Sequence, residues 1–103
     1  MRVIKELAKR IKEELGDAEW YAEKALEHKA EHPEVADLYH HLAKMEMGHA
    51  NDLHDKVVAL IRKASGEKTV PPVMRELWAW QHDEITEEQA EVMRLLELFS
   101  ARS

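Results

Sequence analysis

The sequence predicts an all-α fold: three long antiparallel helices forming a bundle that is completed by oligomerisation. Three observations predict it. Apolar residues recur at helical spacing through three segments of nearly equal length. All three prolines stand where one segment gives way to the next. Nowhere does the pattern alternate with the two-residue period of a strand. At 103 residues the chain makes one helical domain, 1–103, and not two.

The first helix is expected over about 2–31, with Ile4, Ala8, Ile11, Leu15, Ala22 and Leu26 on one face. Gly16-Asp17 also reads as the end of one helix and the cap of another. Pro33 suits a first helical turn and pushes His32 out of the helical region. It opens a second helix over about 33–65, with the stripe Val35, Leu38, Leu42, Leu53, Val57 and Leu60 and a stop at Gly66. After a loop at 66–70, Pro71-Pro72 start a third helix over about 71–100, with Met74, Leu77, Trp78, Ile85, Val92, Leu96 and Phe99. There is no internal repeat. Helices of about 30 residues are about 45 Å long, so a bundle of three is thin. Trp20, Trp78 and Trp80 add more apolar surface than it needs, and a homodimer or higher homo-oligomer is expected.

Composition excludes several functions. A net charge of −6 disfavours nucleic acid and anionic membranes and favours cations. Without cysteine there is no disulfide framework, zinc–thiolate site or iron–sulfur cluster. No glycine-rich phosphate loop occurs, and Ser65, Ser100 and Ser103 lack a nucleophile-elbow motif. The opening MRVIKELAKR is too charged for a secretory leader, and no apolar run approaches membrane-spanning length, so a cytoplasmic location is expected.

The chemistry candidate lies in KMEMGHAND. Glu46 and His49 are three residues apart, on one helix face, where a carboxylate and an imidazole can share a metal ion. The spacing alone carries no weight, because 16 glutamates and seven histidines in 103 residues yield about one such pair by chance. Position adds the information. Glu46 and His49 interrupt a stripe through Val35, Leu42, Leu53, Val57 and Leu60, and Glu19 interrupts the stripe of the first helix. An uncompensated carboxylate in such a seam costs several kcal/mol. If the first two helices turn near His32-Pro33, residues whose numbers add to about 65 lie level. Glu19 and Glu46 then face each other, with His49 less than a turn away and Gly16 and Gly48 in the same layer. On this reading Gly48 relieves crowding around a ligand cluster.

A plainer reading also fits the pattern. Ala18 and Met45 fill the seam, Glu19 and Glu46 stand on its shoulders in solvent, and His49 is an ordinary core histidine. On the third helix Glu88 falls on a seam between Ile85 and Val92, and His82 on a second seam with Trp78. Each is a weaker ligand candidate or a flank residue. His28, His32, His40, His41 and His54 read as surface residues, with His54 a reserve ligand.

With AEWYAEKA around Glu19 and then LYHHLAKMEMGHANDLH, residues of about 8–62 resemble the ferritin-like di-iron carboxylate superfamily. That family takes a Glu from one helix and Glu-x-x-His from the next, twice over, in a four-helix bundle. The resemblance assigns Glu19, Glu46 and His49 as metal ligands and, less directly, places Tyr21 and Tyr39 near the site. Rubrerythrins carry two Glu-x-x-His motifs per chain and this sequence has one, so the nearer analogy is the half-ferritin of encapsulated ferritins. There two chains complete one site. The implied function is a di-iron or manganese site at a subunit interface with ferroxidase-like iron oxidation. The alternative is a non-catalytic helical assembly or interaction module presenting Trp78, Trp80 and Phe99.

Overall fold

Proline and the sizes of the apolar side chains decide where the helices lie and which faces they bury. The computed structural model describes residues 2–66 and 71–101. Helix α1 spans Arg2–His28, α2 spans Pro33–Gly66 and α3 spans Pro72–Ser100. The predicted loop beyond Gly66 lies outside the described residues.

α1 runs unbroken through Gly16-Asp17 but stops at His28, short of the expected residue 31. The residue before a proline is barred from helical backbone, so the chain must leave the helix before His32. Lys29–Glu31 form a turn, closed where the His32 N–H donates to the His28 carbonyl at 2.9 Å. At the start of α3, Pro71 is extended, with φ −60° and ψ 144°, and Pro72 begins the helix. Lys29 reaches across to the other end of α3 and donates to the carbonyls of Phe99 and, at 3.3 Å, Ala101. A cation there satisfies carbonyls that the helix leaves free.

α2 runs back along α1, and α3 returns alongside α1, where Lys12 meets Glu84 at 2.5 Å. Both α2 and α3 pack on α1 and scarcely touch each other. The bundle measures 55 × 17 × 16 Å, and its radius of gyration is 16.3 Å. A compact domain of this length would have about 13 Å. No helix is long and apolar enough to cross a membrane among the described residues.

The core follows the sequence on α1, where Ile4, Ala8, Ile11, Leu15 and Ala22 are buried, and on α3, where Ile85, Val92 and Leu96 are. On α2 the expected stripe is corrected. Val57 is buried and Leu53 and Leu60 pack half-buried against the core, but Val35 is exposed and Leu38 is 55% exposed, and the other buried residues of α2 are Ala36, Ala43, Met47, Ala50 and Ala64. Opposite them α1 presents Ala18, Ala22 and Ala25. Helix separation is set by the side chains at the contact. Small residues on both sides let α1 and α2 close up, and of the expected stripe only Val35 and Leu38 are left outside.

The reading of Gly48 is also corrected. A Cβ built there meets nothing within 4 Å, so no crowding in the single chain calls for glycine. Gly16 does not face it either, since a Cβ there comes 4.0 Å from Glu88 Oε1 on α3. His40 and His54, read as surface residues, are half-buried, His40 stacking on Phe99 with ring centres 4.3 Å apart. Burial, ahead of the nearby Lys44, holds the His40 imidazole below its usual pKa.

Candidate metal centre

Glu46 and His49 come together as their spacing predicts, and the residue that joins them from α1 is Glu14. His49 Nδ1 lies 3.7 Å from Glu14 Oε2 and 3.8 Å from Glu46 Oε2. These separations are too long for hydrogen bonds. They suit a shared ion, because two donors each about 2.0–2.2 Å from one metal are at most about 4.4 Å apart. Glu14, Glu46 and His49 are a three-residue group that could hold a metal ion, each offering one ligand atom. Two carboxylates and one imidazole suit iron, manganese and other ions that accept mixed oxygen and nitrogen donors.

The site is asymmetric in exposure. The Glu14 side chain is only 11% exposed and that of His49 is 56% exposed. Arg10, one turn earlier on α1, pairs with Glu14 Oε1 and leaves Oε2 toward His49. A guanidinium there compensates the carboxylate in the absence of an ion. Two turns nearer the hairpin on the same helices, Tyr21 and Tyr39 stack with ring centres 6.0 Å apart, and Trp20 meets both edge-on.

Glu19 takes a different place. It stands five residues beyond Glu14, about 140° farther around α1, and lines a groove against α3 with Lys12, Glu84, Glu87, Glu88 and Glu91. Its partner there is Glu88 rather than Glu46. Burial first, and the like charge of Glu19 second, raise the Glu88 pKa above its ordinary 4.5. The folded state therefore holds the Glu88 proton more tightly than the unfolded state, and the cost of ionising it is absent below pH 4.5 and complete above the raised value. Glu88→Gln is expected to raise the urea midpoint at pH 7 and to leave it unchanged at pH 4. An equal gain at both pH values would contradict this account.

His82 is drawn into neither group. It lies beside His54 and Trp78 in the gap between α2 and α3. Of the aromatic residues read as a contact surface, Trp78 and Phe99 are engaged within the chain, and Trp80 is exposed with Lys12 Nζ 5.3 Å from its ring centre.

A signal for Glu14 was present in the sequence. It lies three residues after Ile11 and four before Ala18, on the edge of the buried stripe. The turn comes earlier than the expected position near His32-Pro33. With α1 ending at His28 and α2 starting at Pro33, level residues have numbers adding to about 61 rather than 65. That sets Glu14 beside Glu46 and His49 and leaves Glu19 a turn away. No known family model, curated protein or solved structure matches the chain.

Proposed function

We propose that the chain is a ferritin-like metal-binding protein in which two copies pair across the outer face of the α1–α2 hairpin. Pairing pools two sets of Glu14, Glu46 and His49 into one di-metal carboxylate site. The metal is iron or manganese, and ferroxidase-like oxidation of Fe(II) is the reaction that the resemblance implies. The observation that carries the reading is where the group opens. Glu14 of one helix meets the Glu-x-x-His pair of the next on a side where His49 is exposed. The same helix exposes Val35, Leu38 and Met45. One chain offers three ligand side chains, which leaves a six-coordinate ion half-filled. Two chains offer four carboxylates and two imidazoles, the set used by di-iron carboxylate bundles.

Iron would supply the redox chemistry. The chain supplies carboxylates that favour the higher charge of the oxidised ion, a histidine reachable from solvent, and an acidic surface that concentrates cations. The test is metal analysis of protein purified without chelator, joined to Fe(II) oxidation followed by absorbance in air. The wild-type chain should hold about one ion, two per pair. Glu14→Ala, Glu46→Ala and His49→Ala should each weaken binding at least about tenfold. Negligible metal in the wild type, with thermal stability untouched by the three substitutions, would leave the alternative of a plain assembly module. Bound metal without Fe(II) oxidation would make the site a staple for the pair.

A further inference from the structure

α2 and α3 scarcely touch through their backbones. One of the places where side chains bridge the gap is an imidazole pair. His54 of α2 and His82 of α3 have ring centres 5.0 Å apart and planes inclined at 36°. Trp78, one turn before His82, lies 5.9 Å from His54 and 5.7 Å from His82 and closes one side of the pair. Both histidines are half-buried. Neither imidazole is engaged by a hydrogen bond among the described residues, and His54 Nδ1 is 3.8 Å from Asp55 Oδ1, beyond hydrogen-bond range.

The 5.0 Å spacing has a chemical meaning. An imidazole bound through nitrogen at about 2.0–2.1 Å holds its ring centre about 3 Å from the ion, so two rings at a tetrahedral angle stand about 5 Å apart. Imidazole donors suit the later first-row divalent ions better than manganese, and the neighbouring Asp55 carboxylate is 84% exposed to solvent. We propose that His54 and His82 form a second metal site, which takes Ni²⁺, Cu²⁺ or Zn²⁺ through two imidazoles and clips α3 directly to α2. Water completes the coordination on the side away from Trp78. The site is distinct from the carboxylate group, because His54 is five residues past His49, about 140° around α2. It does not depend on the reading of Glu14, Glu46 and His49.

Ni²⁺ titration followed by tryptophan emission tests the site, since a paramagnetic ion bound beside Trp78 quenches it. In the wild-type chain the quenching should saturate, and Ni²⁺ should raise the thermal unfolding midpoint. His54→Ala and His82→Ala should each shift the titration midpoint at least about tenfold and abolish the thermal gain. His54→Gln and His82→Gln, which keep most of the side-chain volume, guard against loss of fold, checked by circular dichroism. Trp78→Phe should remove most of the quenching while calorimetry still records binding. Glu46→Ala with His49→Ala should leave the titration unchanged, and Mn²⁺ should not reproduce it. The proposal is overturned if quenching survives both alanine variants, if it vanishes only with Glu46 and His49, or if the wild type shows no saturable binding below about millimolar Ni²⁺, a free energy of about −4 kcal/mol.

Discussion

Ile11→Ala is expected to lower the thermal unfolding midpoint by at least about 8 °C, from a loss of about 2–5 kcal/mol at about 4–8 °C per kcal/mol. Ile11 is fully buried on α1, the helix on which both others pack. The largest wholly enclosed side chains are Ile11, Leu15, Val57 and Val92, and much of the remaining core is alanine. Each large side chain therefore carries an unusual share of the apolar burial. Truncation removes its transfer free energy and leaves a cavity that alanine neighbours, with no rotamers to adjust, cannot refill. A domain of this length has only about 5–15 kcal/mol in all. Val3→Ala is the control: the same helix, an exposed position, and an expected change within about 0.5 kcal/mol. Equal small shifts for the two would mean that the seam around Ile11 repacks freely and is not the centre of the fold.

How much of this could be read from residues alone depends on side-chain size. On α1 the buried face carries isoleucine and leucine, and periodicity finds it. On α2 the buried face is mostly alanine, which pattern reading weights lightly, while Leu38 and Met45 draw attention to a face that stays outside. The Glu46–His49 pair was legible because it depends only on spacing within one helix. Glu14 was not, because its level depends on where the turn falls, and the end of α1 at His28 moves the register by about four residues, or one turn. Glu88 and His82 were legible as inward-leaning residues of α3, but not by partner. Which α1 or α2 residue each meets depends on the rotation of α3 about its axis, and no local signal fixes that. Hence Glu88 meets Glu19 and His82 meets His54.

Leu38→Glu together with Met45→Lys should separate the paired chains while leaving each chain folded. Leu38 is 55% exposed and Met45 45% exposed, so in a single chain the changes fall on the surface and cost within about 0.5 kcal/mol each. Glu and Lys are good helix formers, and the pair leaves net charge unchanged. In an association that covers this face, each new charge must be desolvated against apolar side chains, at about 2–5 kcal/mol for an unpaired charge. At 1.4 kcal/mol per factor of ten, the dissociation constant should rise at least about 100-fold. Sedimentation velocity reads the association, and far-ultraviolet circular dichroism verifies the helices. The informative measurement is metal content. Glu14, Glu46 and His49 are all retained in this variant, so a site complete within one chain would bind metal as before. A site pooled from two chains should lose it along with the partner, and recover it at protein concentrations that force association. Full metal binding by a monomeric variant would therefore confine the centre to one chain, and would leave the exposed stripe of α2 with some other purpose.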